Sequence, residues 1–129
     1  MSRPLLVVDG DSLAHRAYHG LPKSIRFNAV VGFTNMLVRL WESEEPRAVL
    51  VGWDTLTVPT YRHEALAGYQ AGRVFDKSLL EQLDMLPELV RALGFAAAKE
   101  DGYEADDFLG AAVRHEEKRG GTAVVATSD

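Results

Sequence analysis

Residues 4–10 run Pro4-Leu5-Leu6-Val7-Val8-Asp9-Gly10, a short apolar segment that ends at an acidic residue and a glycine. An apolar run of this length, bounded by a turn signal, predicts a buried β-strand. Three later segments have a similar character, although the second of them is weaker: Ala48–Trp53, Phe95–Lys99 and Thr122–Ala126. The sequence therefore predicts four strands, spread over the whole chain.

Helical patterns fill most of the chain between these strands. They cover four segments, one of them short: Ala29–Glu42, Tyr61–Tyr69 (the short one), Ser78–Leu93 and Glu104–Lys118. The third has apolar residues at alternating steps of four and three, the spacing of one helix face. Ser78 is its predicted N-cap and Gly94 its predicted stop, because these residue types favour those positions. Pro87 is expected to kink this helix, since its ring clashes with the preceding turn.

Strands that alternate with helices are typical of a parallel sheet covered on both faces. The chain has 129 residues, which is enough for one domain. We therefore predict a single three-layer α/β domain over residues 1–129. Its last predicted strand ends just before Asp129. A buried strand needs a helix to cover it, so we expect the chain to be a piece of a longer protein.

Composition excludes several classes of protein. The absence of cysteine excludes disulfides, thiolate metal sites and cysteine nucleophiles. Neither a membrane span nor a secretory signal is recognisable, so we expect a cytoplasmic protein without membrane contact. The net charge of −5 does not suggest a generic nucleic-acid binder, which usually has a basic excess. Six acidic residues account for this deficit, and they lie at related places in the predicted fold.

These six carboxylates follow the predicted strands. They are Asp9, Asp54, Glu104, Asp106, Asp107 and Asp129. The carboxyl ends of parallel strands share one edge of a sheet, where ligands of such folds bind. Each acid alone is more readily explained as a turn residue or a helix cap than as a ligand. Together they would repel by roughly 1–3 kcal/mol per close pair. We therefore expect the cluster to hold protons or hard cations, Mg²⁺ or Mn²⁺, of which a pair suits phosphodiester hydrolysis.

Several motifs resemble those of the structure-specific 5′-nucleases, the flap endonucleases and the 5′→3′ exonuclease domains of bacterial DNA polymerase I. The first is the segment from Leu5 to Tyr18. The others follow in the family's order: Gly32-Phe33-Thr34-Asn35-Met36-Leu37, Trp53-Asp54, Tyr61-Arg62-His63-Glu64, Tyr69-Gln70-Ala71-Gly72-Arg73, Gly102-Tyr103-Glu104-Ala105-Asp106-Asp107 and Thr127-Ser128-Asp129. They cover nearly the whole chain, and the Gly-Tyr-Glu-Ala-Asp-Asp segment is the most specific. The resemblance implies a PIN-like, Rossmann-like fold.

The resemblance also implies roles for individual residues. The six carboxylates would be ligands of a pair of Mg²⁺ or Mn²⁺ ions, and Asp107 and Arg73 would take part in catalysis. Residues expected to contact DNA are Arg16, Tyr18, Arg62, Tyr69 and Arg73. The implied substrate is DNA with 5′ flaps or 5′ ends. The implied partner is a DNA polymerase, fused or separate, and the implied state is a monomer.

The sequence departs from the family in three respects. Gln70 stands where family members commonly have a lysine that stabilises the scissile phosphate. Further aspartates and a helix–three-turn–helix element, expected downstream, lie beyond Asp129. The segment between Arg73 and Ser78 is short for the family's threading arch. These departures lead us to expect slower cleavage and a poorly held second metal in this chain.

Three other functions remain open from the sequence. Asp9-Gly10-Asp11 also fits the Asp-x-Asp motif of haloacid-dehalogenase phosphatases, although no lysine follows the fourth predicted strand. A small PIN-domain ribonuclease would need only the acidic cluster. A DNA-structure-binding module with weak catalysis would agree with Gln70 and with the missing downstream part. Of these, the phosphatase fits the motifs least well.

Overall fold

The computed structural model describes residues 3–55 and 76–128. Its elements follow in the order β1 (Leu5–Asp9), α1 (Gly10–Gly20), α2 (Asn28–Glu44), β2 (Ala48–Gly52), α3 (Lys77–Ala92), β3 (Ala96–Ala98), α4 (Ala105–Lys118) and β4 (Ala123–Ala126). All four predicted strands are confirmed, as are three of the predicted helices. The predicted short helix at Tyr61–Tyr69 lies outside the described residues.

The four strands form one sheet in the order β3-β2-β1-β4, and every neighbouring pair is parallel. In register, Val7 stands beside Leu50 of β2 and Val125 of β4. The chain therefore builds outward from β1 through β2 to β3 and then returns to the other side of β1. This change of direction at β1 creates a switch point, which is where open α/β sheets place their ligands.

Helices cover both faces of the sheet, which confirms the three-layer α/β prediction. Leu6, Val8 and Val51 belong to the main hydrophobic core, together with residues of α1, α2 and α3. Neighbouring strand residues face the opposite way. On that side Gly52 lies under α4, and a side chain there would meet Leu109. Among the described elements, one side of the sheet thus carries α1, α2 and α3, and the other carries α4.

Helix α1 was not predicted, because its segment shows little apolar character. It begins directly at Gly10, after Asp9 at the end of β1, and its buried face includes Leu13 and Tyr18. Gly10 is required there by packing: a Cβ atom on it would lie 2.6 Å from the ring of Trp53. Trp53 is only 1% exposed and packs against Phe33. The Trp53 ring therefore leaves no room for a side chain at the turn from β1 into α1.

Helix α3 differs from its prediction at its start. Its N-cap is Asp76, whose side chain accepts a hydrogen bond from the Ser78 amide, so the prediction of Ser78 as N-cap was wrong. The predicted stop is confirmed by Gly94, which has a φ of 93° that favours glycine. The helix continues through Pro87, which is buried. No helix within the described ranges is long and apolar enough to cross a membrane.

Candidate functional site at the carboxyl edge of the sheet

Asp9 is the acidic residue at the end of the central strand. It is 7% exposed, and its carboxylate accepts a hydrogen bond of 3.1 Å from the Ser12 amide. It therefore caps the N-terminus of α1, where the helix dipole stabilises a negative charge. Asp9 thus has a structural role in addition to its position at the switch point.

Asp11 and Asp54 connect three elements at this edge. The Asp54 amide donates to the Asp11 carboxylate at 2.6 Å, and the Asp54 carboxylate accepts from the Ala105 amide at 2.6 Å. Asp11 lies in the first turn of α1, Asp54 lies just beyond β2, and Ala105 is the first residue of α4. These two hydrogen bonds fix the start of α1, the end of β2 and the start of α4 together.

The electrostatics of Asp11 show that negative charge accumulates at this edge. The pKa of the Asp11 carboxyl is raised to about 7, chiefly by burial and also by repulsion from the carboxylates of Asp54 and Asp9. The hydrogen bond from the Asp54 amide and the charge of Lys99 oppose this shift. Asp9, Asp11 and Asp54 are therefore close enough to interact, and a cation beside them would relieve their repulsion.

The other described acids lie in the first turn of α4. Glu104, Asp106 and Asp107 are all exposed. The Asp107 carboxylate accepts a hydrogen bond of 2.8 Å from the Glu104 amide, which holds the first turn of the helix. The hydrogen bond from Ala105 to Asp54 places this turn next to the end of β2. Five of the six predicted carboxylates thus belong to the carboxyl edge, and the sixth, Asp129, lies outside the described residues.

The predicted ligand set is not assembled into a metal site in this part of the chain. Among residues 3–55 and 76–128, no three His, Asp or Glu side chains are placed to hold one metal ion. Asp9, Asp54 and Asp107 instead accept hydrogen bonds from backbone amides. The chemistry of the donors suits a hard cation, since all of them are carboxylate oxygens. The predicted gathering of acids at one edge is observed, whereas their convergence on one ion is not.

Ser12, Thr127 and Ser128 form a hydroxyl network that the sequence reasoning missed. The Ser12 hydroxyl lies 2.7 Å from that of Ser128 and 3.2 Å from that of Thr127, and the Ser128 amide donates to it at 2.6 Å. The network joins the start of α1 to the end of β4 across the switch point. The signal for it was present in the Thr127-Ser128 motif, although neither residue is acidic. Asp11, also missed as a member of the acidic edge, stood in the quoted Asp9-Gly10-Asp11 segment.

The predicted DNA-contacting residues have different placements. Arg16 is exposed on α1, and its guanidinium forms no ion pair within the described residues. Tyr18 is 3% exposed, and burial together with a hydrogen bond to Asp76 raises its pKa to about 12. The burial of Tyr18 does not favour a contact with DNA, which stays a prediction. The remaining residues predicted to face DNA, Arg62, Tyr69 and Arg73, and the divergent Gln70, lie outside the described residues.

Comparison with known proteins identifies a family and a shared fold. Residues 4–129 match the family model described as the N-terminal, resolvase-like domain of 5′-3′ exonucleases. The chain is 39% identical over 135 residues to DNA polymerase I of Bacillus caldotenax, with 100% of this chain and 15% of the relative covered. It is 37% identical over 131 residues to the thermostable DNA polymerase I of Thermus aquaticus, with 97% of this chain and 16% of the relative covered.

Solved structures of a phage nuclease share the fold. The T5 5′-exonuclease with bound zinc ions superposes with a TM-score of 0.77 at 23% identity, over 98% of this chain and 49% of that chain. The bacteriophage T5 flap endonuclease in a pseudo-enzyme–product complex with DNA and metal ions gives a TM-score of 0.72 at 23% identity, with the same coverage. The chain thus spans about 15% of the polymerases it matches and about half of the phage nuclease.

Proposed function

Because this chain belongs to the family of N-terminal, resolvase-like domains of 5′-3′ exonucleases, we propose that it hydrolyses phosphodiester bonds in DNA at 5′ ends and 5′ flaps. The single observation that carries the proposal is the meeting of Asp9, Asp11 and Asp54 at the carboxyl ends of β1 and β2, beside the acidic start of α4. Such an edge repels a phosphate backbone unless a cation lies between them. The proposed activity therefore depends on a divalent metal ion.

We propose that the cation is Mg²⁺ or Mn²⁺, bound as a pair of ions. The six predicted carboxylates would hold it: Asp9, Asp54, Glu104, Asp106, Asp107 and Asp129. A bound divalent ion would polarise the phosphodiester and lower the pKa of an attacking water. Asp54 and Asp107 each accept a hydrogen bond from a backbone amide through one carboxylate oxygen. Their second oxygen remains able to bind such an ion. The T5 5′-exonuclease has been solved with divalent zinc ions, which supports a divalent cation without deciding which one.

The chain's own cations would position the DNA strand. We propose that Arg16, which is exposed on α1, and Arg62 and Arg73 neutralise backbone phosphates beside the acidic edge, and that Tyr69 stacks on an unpaired base. Arg73 and Asp107 would act at the scissile phosphate. Gln70 can donate a hydrogen bond there but offers no charge. We therefore expect slower cleavage than in relatives with a lysine at this position.

The partners follow from the relatives. The matched proteins are DNA polymerases, and the phage structure contains DNA. We propose that this domain acts as a monomer in the cytoplasm, fused to or beside a DNA polymerase, on DNA that carries 5′ flaps or ends. A ribonuclease or a non-cleaving DNA-structure-binding module are the alternatives that a substrate comparison distinguishes.

Cleavage of a 5′-flapped DNA duplex tests the proposal. The protein, expressed as its whole reading frame, should cut the flapped duplex in Mg²⁺ or Mn²⁺ and leave single-stranded RNA intact. Asp9→Asn and Asp107→Asn should abolish cleavage, because each removes a negative charge from the proposed metal site. Both variants should still fold, because the asparagine keeps an oxygen that can accept the hydrogen bond at the start of its helix. Glu42→Gln is the matched control, since Glu42 is exposed near the end of α2. Undiminished cleavage by Asp9→Asn, or preferential cleavage of RNA, would overturn the proposal.

Thermal unfolding tests the metal separately. A ligand of the native state stabilises it by about 2.7 kcal/mol at a concentration 100 times its Kd. Millimolar Mg²⁺ or Mn²⁺ should therefore raise the melting temperature of the wild type and of Glu42→Gln. The rise should be smaller in Asp9→Asn. An equal rise in all three proteins would show that the ion binds elsewhere.

A further inference from the structure

A groove runs along the outer face of α4, beside the acidic edge. It has a volume of about 510 Å³ and is lined by Tyr103, Phe108, Gly110 and Arg114, with Asp106 and Asp107 at one end. From Asp106 to Arg114 the helix rises about 12 Å. The groove therefore leads away from the candidate metal-binding end along two turns of the helix. The proposed function uses the acidic end and assigns nothing to the rest.

One wall of the groove is aromatic. Tyr103 and Phe108 have ring centroids 5.8 Å apart, and Tyr103 is 48% exposed. The backbone of Tyr103 is fixed, because its carbonyl accepts hydrogen bonds from the amide and the hydroxyl of Thr55. An exposed ring on a fixed backbone offers a flat surface on which a planar ligand can stack. Such a surface accepts any nucleobase, since every base has a π-face.

Among the described residues that line the groove, Arg114 is the cation, and it lies at the far end. Arg114 is exposed, and within residues 3–55 and 76–128 its guanidinium forms no ion pair. One guanidinium nitrogen lies 3.3 Å from the place where a side chain on Gly110 would have its Cβ atom. Gly110 therefore leaves room for the Arg114 side chain to lie against the helix and face the groove. A guanidinium in this position suits a phosphate.

We infer that this groove binds one unpaired nucleotide of the substrate strand, with its base on Tyr103 and its phosphate on Arg114. The inference rests on the proposed nuclease function, because the strand reaches the groove from the acidic edge. Glu100, Asp106 and Asp107 also line the groove and outnumber Arg114. The nucleotide therefore binds well only when a divalent cation neutralises the acidic end.

The test measures binding and not cleavage. The probe is a 5′-flapped DNA duplex with 2-aminopurine as its first unpaired base, in millimolar Ca²⁺ in place of Mg²⁺. Stacking on Tyr103 should quench the fluorescence of the probe. Tyr103→Leu should abolish the quench and raise Kd roughly fivefold or more, the loss of one stacked base. Arg114→Gln should raise Kd and reduce the slope of log K against log salt by about 0.7.

Matched substitutions elsewhere provide the controls. Trp41→Leu removes an aromatic side chain with the same 48% exposure from α2, and Arg39→Gln removes an exposed arginine from the same helix. Both should bind and quench like the wild type. If the wild type binds and both groove variants match it in Kd, quench and salt slope, the groove inference is wrong and the nuclease proposal stands. If the wild type does not bind the probe at all, both are wrong.

Discussion

At the scale of single residues, the candidate site depends on the lack of a side chain at Gly10. The Asp9-Gly10 pair looks like an ordinary turn in the sequence, but the structure uses Gly10 as the first residue of α1. Its missing side chain admits the indole ring of Trp53, which lies directly before Asp54. The contact between Gly10 and Trp53 therefore joins the chain neighbours of two of the acidic residues, Asp9 and Asp54.

Gly10→Ala tests this packing. A Cβ atom 2.6 Å from a ring that is 1% exposed forces the indole or the helix to move. We expect a loss of about 1–3 kcal/mol in the free energy of unfolding, the usual cost of overpacking. Gly20→Ala, at the other end of α1, meets no atom within 4 Å and should change stability little. Urea denaturation of both variants measures the difference, and equal stability would contradict the packing argument.

The positions of single acids could be predicted from sequence only where they follow a strand. Asp9 and Asp54 met this condition, because parallel strands align their ends without any knowledge of side chains. Asp11 did not, since it lies in a helix whose pattern was too weak to recognise. Tyr18 shows a different limit of prediction from sequence. A tyrosine is suited both to the hydrophobic core and to a surface that contacts DNA, and only the packing of the fold distinguishes these two positions.

At the scale of elements, the helices depend on one another for their ends. The N-cap residue of α2 is Phe27, which provides no side-chain cap. The amide oxygen of Gln82, on α3, accepts a hydrogen bond of 3.0 Å from Val30 in the first turn of α2. The amide nitrogen of Gln82 donates to Asn28, which in turn donates to the carbonyl of Tyr18 near the end of α1. One buried chain of hydrogen bonds thus connects three helices.

Gln82→Leu should disrupt this chain. Gln82 is 1% exposed, so its replacement leaves the Val30 amide without its partner and removes one of the hydrogen bonds of the Asn28 side chain. We expect a loss of about 1–3 kcal/mol, the cost of buried polar groups left unsatisfied. Glu81→Gln, on the exposed side of the same turn, is the control and should stay within about 0.5 kcal/mol. Wild-type stability of Gln82→Leu in chemical denaturation would exclude the network as a support of α2.

The existence of α2, α3 and α4 could be predicted, because each has a clear apolar face. Their ends could be predicted only in part. Gly94 follows a local rule for helix stops. At the other end the cap is Asp76, two residues before the predicted Ser78, and its side chain accepts the hydrogen bond of the Ser78 amide. The cap that Gln82 provides to Val30 joins residues 52 positions apart in the chain. No local pattern contains that information.

At the scale of the whole molecule, charges are separated between the two edges of the sheet. Within residues 3–55 and 76–128, the carboxyl edge gathers acids, and Lys99 is the cation that acts on Asp11 there. At the other edge, the Glu116 side chain of α4 is 3% exposed and forms ion pairs with Arg47, which precedes β2, and with Arg119. The Arg47 guanidinium lowers the pKa of Glu116, although burial opposes the shift. This ion pair fastens α4 to the sheet at the end remote from the candidate site.

The pH dependence of stability tests the contribution of the ion pair between Glu116 and Arg47. Because the pKa of Glu116 is lowered on folding from its ordinary value of 4.5, its contribution is present above that pH and is lost as the pH falls through the folded value. Glu116→Gln should therefore unfold at a lower temperature than the wild type at pH 7, and the gap should close in acid. Glu117→Gln, its exposed neighbour, should follow the wild type throughout. A gap of constant size from pH 7 to pH 3 would contradict this assignment.

The hydroxyl contact between Ser12 and Ser128 spans 116 positions of the chain. A ribosome that releases the polypeptide from its N-terminus must therefore deliver it as far as Ser128 before this contact can form. Asp9 and Asp11 emerge first, Asp54 comes later, and the first turn of α4 comes later still. A chain synthesised only as far as β2 accordingly lacks the acidic first turn of α4, so the described part of the proposed metal-binding edge is complete only after Asp107 has left the ribosome.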